Sequence, residues 1–325
     1  MLGSLASRWL PGLIALANGA ASSGQADEFP LPQGRVRILL DTDAGNYYDD
    51  QFALAYAGLS GESIEIEAAY AAPFTNSRVA DPAEGMERSF DEIAQVLRAL
   101  RSTRRVPVAR GARRWLDSSV QPVRCPAVED MVERVMYGRQ PIDYVVAIGA
   151  ATNLASALLL EPAMATRTNP VWLGGTPHGF PSASEFNLRQ DPIAARVLFD
   201  SGARLVHVPA VGVAENLRAS RPELEDRMSG RSSVADLLLD RVNRFSGSDA
   251  EAAGASKTLP IWDMAPIAWL VNPDWVESTV RASPTLSDSL TWMHSPYRHR
   301  IRLAYRVLRD EVLTDFFRKV ESASS

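Results

Sequence analysis

Apolar and polar positions alternate along this chain in blocks of two kinds. Val36 to Leu40 is aliphatic except for Arg37, which predicts a mostly buried strand. Phe52, Leu54, Ala55 and Tyr56 then open an apolar helix, and Ile64 to Tyr70 predicts a second strand that Pro73 breaks. A helix opens at Asp81, its buried face marked by Ile93, Val96, Leu97 and Leu100. Val106 to Ala109 predicts a short strand, and residues 112–125, with charge, Ser and Pro, a loop. Val128, Met131, Val132, Val135 and Met136 mark another amphipathic helix. Tyr144 to Gly149 reads as a buried strand followed by a helix over Leu154 to Leu160. Val171 to Gly175 and Arg204 to Val208 predict strands on either side of a helix from Pro192 to Ser201, which Gly202 ends. Residues 211–257 are polar and helical in parts, with Ser246 to Gly254 a loop of the kind that closes over a site. Ile261 to Leu270 is an apolar helix with Asp263 at its start, and Arg300 to Phe317 predicts an edge strand and a final helix. Strands alternating with helices indicate an α/β chain.

Composition changes this picture little. The chain has 325 residues, 46% hydrophobic and 22% charged, enough for a large core in one domain or two. A net charge of -5 argues against a nucleic-acid partner. The single cysteine, Cys125, rules out an intrachain disulfide and reads as a small buried filler. His178, His207, His294 and His299 lack the spacing of a metal site, and His207 reads as a core or sheet-face residue. Met1 to Ala26 carries one charge, Arg8, then the apolar run Trp9 to Ala17 and small residues. That stretch fits a weak secretory leader cut near Ala21, or an unfolded extension, and is too short to span a bilayer. Export therefore stays open. Either way, residues 1–32 are expected outside the fold and 33–322 within it.

The chemistry concentrates in Asp41-Thr42-Asp43-Ala44-Gly45-Asn46-Tyr47-Tyr48-Asp49-Asp50-Gln51. Four carboxylates follow a buried strand and precede an apolar helix. A doubly wound sheet presents its chemistry at such strand ends. The acids repel one another unless a cation neutralises them. Oxygen ligands without Cys or His favour calcium or magnesium over zinc. The competing reading is a solvated turn with Asp49 or Asp50 as helix N-cap.

This stretch resembles the amino-terminal signature of the nucleoside hydrolases, calcium-dependent enzymes that cut the N-glycosidic bond of ribonucleosides. The loop Ala44 to Tyr48 is longer than in the usual signature. It resembles a divergent branch reading Asp-Thr-Asp-Ala-x-Asn-x-x-Asp-Asp-Gln. Gly149-Ala-Ala-Thr152-Asn153 and Ser184-Glu185-Phe186-Asn187 resemble two further family segments, and the likeness covers roughly residues 35–320. It implies a single-domain α/β fold with an open, mostly parallel, doubly wound, Rossmann-like sheet. It implies a Ca2+ site from Asp43, Asp50, Asp263 and the Thr152 main-chain carbonyl. Asp43 would also be the general base, and Asp41 would fix the loop from behind. Asp49, Asn76, Glu185 and Asn187 would bind ribose: Asp49 the 2'-hydroxyl, Glu185 the 5'-hydroxyl and Asn187 a ring hydroxyl. A family Asn just before that segment has no clear counterpart, with His178 and Ser184 the nearest candidates.

Each role has a structural rival. Asn76 can be a turn residue, Thr152 or Asn153 a helix N-cap, and Asp191 and Asp263 N-caps. Where well-studied members carry a His as acid for the departing base, this chain has Trp262, which can stack on a base but not protonate it. The implied activity is Ca2+-dependent hydrolysis of ribonucleosides to ribose and free base. The implied partner is a small nucleoside or riboside, with a homo-oligomer suggested by analogy alone. Three rivals remain. Asp41-x-Asp43 also resembles the haloacid-dehalogenase phosphatases, although Gly45 stands where Thr or Val is expected. The others are a non-catalytic ribose- or nucleoside-binding protein and a hydrolase of another glycoside.

Overall fold

The computed structural model describes Phe29, residues 31–101, 105–249 and 258–323, with backbone alone for 245–249. The leader-like stretch Met1 to Ala26 therefore lies outside the described residues. Leu31–Ser325 is one compact unit, and the expected span 33–322 falls inside it.

In chain order, β1 (Val36–Thr42), α1 (Asp49–Leu59), β2 (Ile64–Ala71), α2 (Pro82–Ala99) and β3 (Val108–Arg110) form the first half of the sheet and its helices. Then come α3 (Pro126–Tyr137), β4 (Tyr144–Ala147), α4 (Thr152–Leu160), β5 (Asn169–Leu173), α5 (Phe186–Gln190), α6 (Pro192–Asp200) and β6 (Val206–Val208). A less regular stretch holds β7 (Arg218–Ala219), α7 (Arg221–Met228), α8 (Ser233–Asp249) and β8 (Leu259–Pro260). The chain closes with α9 (Met264–Val271), β9 (Val276–Ala282), β10 (Thr285–Leu286), β11 (Trp292–Met293), β12 (Arg300–Val307) and α10 (Arg309–Ser322).

Among the described residues the main sheet has eight strands in the order β3-β2-β1-β4-β5-β6-β12-β9. All pairs are parallel except β12 with β9. The expected open, mostly parallel sheet is therefore present. Strand order reverses between β1 and β4, and a doubly wound sheet opens its ligand crevice at the carboxyl ends on either side of such a reversal.

Helices cover both faces. On one face Leu39, Val145 and Trp172 pack with Val128 and Met131 of α3, Leu154 of α4 and Leu198 of α6. On the other, Trp269 of α9 meets Tyr144 edge-on at 5.7 Å, and α9 packs against α1. Both α1 from Asp49 to Ala57 and α9 from Met264 to Leu270 are buried all round. That explains their near-continuous apolar composition. The acids that begin these helices are thereby carried inside the molecule.

Four expectations shift. Pro107 has no N–H for the ladder, so β3 pairs from Val108 rather than Val106. The strand expected at the edge, β12, is internal, because β9 pairs outside it in antiparallel register. Phe186–Gln190, where the pattern gives no element, is a short helix, α5, with Glu185 as its N-cap. Residues 246–249 of the expected loop continue α8, and 250–254 lie outside the described residues. Among the described residues no helix is long and apolar enough to cross a membrane.

Candidate active site

The carboxyl end of β1 carries Asp41, Thr42 and Asp43. Side chains alternate along a strand, so the two acids diverge from Thr42. Asp41 stays in the sheet, where its carboxylate accepts from Asn153 Nδ2 at 2.8 Å and ties β1 to the start of α4. Burial pushes its pKa up to about 7. It has the backing position expected of it and does not line the crevice.

Beyond Thr42 the chain turns. The Asn46 N–H donates to the Asp43 carbonyl at 2.7 Å, and Asn46 Nδ2 donates to Asp43 Oδ2 at 3.0 Å. Gly149, just past β4, lies so close that a Cβ there would sit 2.5 Å from Asp43 Oδ1. Asp49 and Asp50 form the first turn of α1, where the helix end favours negative charge. Tyr48 at its N-cap offers no side-chain cap, and neither acid caps. Thr42 Oγ1 donates to Asp50 Oδ1 at 2.5 Å. Asp49 accepts from the Trp262 backbone N–H, which links α1 to the start of α9.

Asp263 occupies the N-cap position of α9 but makes no side-chain capping bond. Its carboxylate reaches the acidic turn instead. Carboxylate oxygens of Asp49, Asp50 and Asp263 lie within 4.8 Å of one another, and Asp50 is crowded electrostatically by Asp43 as well. Burial pushes Asp43 and Asp49 up to about 7 and Asp50 and Asp263 well above the usual carboxylate range; neighbouring acids add to it for Asp43, Asp50 and Asp263, and Glu185 for Asp49. Buried carboxyls this crowded favour a retained proton or a cation between them.

These acids line a cavity of about 260 Å3, near the lower end of small-ligand sites. Glu185, Asn187 and Trp262 complete the part foreseen from sequence. Glu185 caps α5, accepting from the N–H groups of Gly175 (2.7 Å), Asn187 (3.1 Å) and Leu188 (3.3 Å). Asn187 Nδ2 donates to the carbonyls of Ile148 (2.9 Å) and Leu173 (3.1 Å), bridging the ends of β4 and β5. Ile148, Asn46, Tyr47 and Phe186 also line the cavity and were not foreseen as site residues. A larger cavity of about 430 Å3 is lined by Arg37, Glu67 and Arg134, but there Arg37 and Glu67 pair with each other at 2.6 Å.

Two expected residues are not brought in. Thr152 is the first residue of α4, so its carbonyl is committed to the helix ladder, and its hydroxyl donates to Asp191 Oδ2 at 2.8 Å. Ile148, one residue beyond β4, does line the cavity, and its carbonyl accepts from Asn187. Neither Thr152 nor Asn153 caps α4. Asn76 stands behind Asn46: its Nδ2 donates to Asn46 Oδ1 at 2.9 Å, and its Oδ1 accepts from the Arg78 N–H, which is a turn role. Asn46, not Asn76, lines the cavity. His178 and Ser184 do not line the cavity; His178 is hydrogen-bonded to His207 at 3.0 Å. Asp191 caps α6 as expected.

Known proteins share this architecture. Plant nucleoside hydrolase PpNRh1 superposes with a TM-score of 0.71 at 19% identity, covering 88% of this chain and 99% of that one. The purine-preferring ribonucleoside hydrolase of Gardnerella vaginalis gives 0.68 at 18% identity, covering 89% and 99%. In sequence, the pyrimidine-specific ribonucleoside hydrolase RihA of Enterobacter sp. (strain 638) is 25% identical over 264 residues, 73% of this chain and 79% of that one. The sequence model described as inosine-uridine preferring nucleoside hydrolase matches residues 38–313, from within β1 into α10. The acidic turn after β1 and the distant Asp263 both fall inside that match, and the chain belongs to the inosine-uridine preferring nucleoside hydrolase family.

Proposed function

We propose that this protein hydrolyses the N-glycosidic bond of ribonucleosides, releasing ribose and the free base, with Ca2+ as its cation. The observation that carries the reading is the arrival of Asp263 beside Asp49 and Asp50 from the far end of the chain. A buried, all-carboxylate donor set with raised proton affinity fits a hard divalent ion. Asp43, Asp50 and Asp263 would hold it, with Asp49 beside them. The Ile148 carbonyl would stand where Thr152 was expected. When bound, the cation supplies charge neutralisation and Lewis acidity toward oxygen ligands.

The remaining work falls to this chain's side chains. Cleavage sends the glycosidic electron pair to the base and leaves positive charge on the sugar. Buried carboxylates stabilise that charge where it develops. Asp43 takes the proton of the attacking water, held in place by Asn46. Asp49, Glu185 and Asn187 are acceptors for the ribose hydroxyls. Glu185 and Asn187 are already locked by backbone partners, so little ordering remains when the sugar arrives. Trp262 offers its ring to the base.

Ribose release from purine and pyrimidine ribosides, with and without chelator, tests the reading. Turnover that chelation stops and Ca2+ restores is expected. Asp43→Ala is expected to lose about 10²- to 10⁴-fold in kcat while remaining folded. Trp262 in place of an acid favours one rival, a riboside-binding protein, and calorimetric binding without ribose release would establish that instead.

A further inference from the structure

The backbone of the acidic turn is fixed from several directions. Gln51 Nε2 donates to the Ala44 carbonyl at 3.0 Å, and Arg78 Nη2 to the Asn46 carbonyl at 2.8 Å. Gly45 lies against α2, where a Cβ would come within 2.6 Å of the Arg88 carbonyl carbon. The backbone of Asn76 is tied down as well. Its N–H donates to the Val79 carbonyl at 2.8 Å, and the Val79 N–H donates back to the Asn76 carbonyl at 3.3 Å. Both asparagines are half-buried. What these backbone bonds leave open is which way each side-chain amide points.

A carboxamide has a donating end and an accepting end, and half a turn exchanges them with almost no change of shape. The Arg78 main-chain N–H can only donate. It lies 2.8 Å from the Asn76 side-chain oxygen, so that end of Asn76 is the acceptor. The nitrogen of Asn76 then faces Asn46 and donates at 2.9 Å, which sets the oxygen of Asn46 toward Asn76. The other end of Asn46 is its Nδ2, 3.0 Å from Asp43 Oδ2. A turn uses only the accepting oxygen, and aspartate serves there as well as asparagine. The donating end of Asn76 does nothing for the turn.

We propose that Asn76 is a positioning residue for the hydrolysis proposed above, setting the Asn46 amide so that a donor faces Asp43. The role rests on that reading, in which Asp43 takes the proton of the attacking water. Asn76 does not line the cavity and acts only through Asn46. An aspartate at position 76 keeps the acceptor for the Arg78 N–H but has no donor for Asn46. It competes with Asp43 for the one amide nitrogen of Asn46, so the orientation is lost while the turn is kept.

The test measures ribose release from inosine and uridine by Asn76→Asp and Asn76→Ala, each made in the wild-type and in the Asn46→Ala background. Asn76→Asp should lose about 10- to 100-fold in kcat, the worth of a hydrogen bond to a charged group, with KM within about threefold. Asn76→Ala brings no competitor and should lose less, about 3- to 10-fold, yet melt below Asn76→Asp because the Arg78 N–H loses its acceptor. In the Asn46→Ala background neither substitution should lower kcat by more than about twofold. If Asn76 serves the turn alone, Asn76→Asp stays close to wild type and Asn76→Ala is the worse variant, and that order overturns the proposal. A loss from Asn76→Asp that persists in the Asn46→Ala background overturns it too, since the new charge then acts on Asp43 directly. One readout needs no turnover. In NMR spectra of the chelated protein, the Asn46 side-chain amide signal, identified by its disappearance in Asn46→Ala, should shift in Asn76→Asp, and an unmoved signal overturns the proposal. A wild type that releases no ribose removes the hydrolase reading, and the orientation of Asn46 by Asn76 then stands or falls on the amide signal.

Discussion

Gly149→Ala isolates the position of Asp43 from its identity. Gly149 follows the end of β4, and its backbone is not left-handed, so alanine is allowed there on conformational grounds. What alanine meets is Asp43: its Cβ would lie 2.5 Å from Oδ1, 2.9 Å from Cγ and 3.2 Å from the Asp43 Cβ. Ordinary contact begins near 3.4 Å, so the carboxylate must move by about 0.9 Å. It is 2% exposed, with Asn46 on one oxygen, so it moves only by breaking the arrangement that positions it. A displacement of about 1 Å in a reacting group costs about 100-fold in rate, and overfilling a packed site costs about 1–3 kcal/mol. Gly149→Ala should therefore fold, lose about 100-fold in kcat and unfold about 1–3 kcal/mol more easily in urea. In an Asp43→Ala background the clash partner is gone, so the same substitution should cost little stability. A Gly149→Ala enzyme with wild-type kcat would refute the argument, as would equal destabilisation in both backgrounds.

Four other outcomes are expected. Ca2+ binding must displace protons from carboxyls whose folded pKa values lie near or above 7, so affinity should rise steeply from pH 6 to 8 with proton release in calorimetry; an affinity flat across that range sinks the cation site. Asp263→Asn removes one of the crowded charges, so the chelated variant should melt above the chelated wild type at pH 8 while binding Ca2+ at least about tenfold more weakly; a lower melting temperature contradicts the repulsion argument. Thr152→Val should lose about 1 kcal/mol with its bond to Asp191 yet keep Ca2+ affinity, whereas lost affinity would return Thr152 to the site. Burial holds His207 at about 4, below the usual 6.5, so the unfolded chain takes up a proton that the fold refuses and stability falls as pH drops below 6.5. His207→Gln should thus spare about 2 kcal/mol of the wild-type loss between pH 6.5 and 5, and matching pH profiles would exclude this role.

Sequence and structure agree best where one residue type can do one thing. Apolar runs that end in acids must be buried strands ending at a polar crevice, and β1 and α1 follow. Asp263 stood out in sequence as an acid heading an apolar helix, and it makes no capping bond but lies beside Asp49 and Asp50. Ile148 was not legible as a lining residue. An aliphatic side chain past a strand end carries no chemical mark, whereas Thr152 does, and the Thr152 hydroxyl serves Asp191. Asn76 and Asn46 exchanged places for a different reason. Two amides stand one behind the other at this wall, and residue type alone does not tell which of them lines the cavity. The order of β12 and β9 depends on pairing between distant segments, which local pattern does not encode.

The buried acids also show why fold and site cannot be optimised together. Each unpaired carboxylate taken from water costs several kcal/mol. The amino ends of α1 and α9 offset part of this, each by about 0.3–1 kcal/mol and at most about 2. The single bonds from Thr42 to Asp50 and from Asn46 to Asp43 add about 1.5–3 kcal/mol apiece. Those contributions do not cover four mutually repelling groups, so the fold must retain protons or accept a cation, and the raised pKa values express the first choice. The large aliphatic and aromatic core supplies the stability that lets the strained arrangement persist. The reversal of strand order between β1 and β4 is what makes the strain useful. It opens a crevice where Asp43 follows the end of β1 and Ile148 and Gly149 follow the end of β4, while buried α1 and the start of α9 deliver Asp49, Asp50 and Asp263 to the same place.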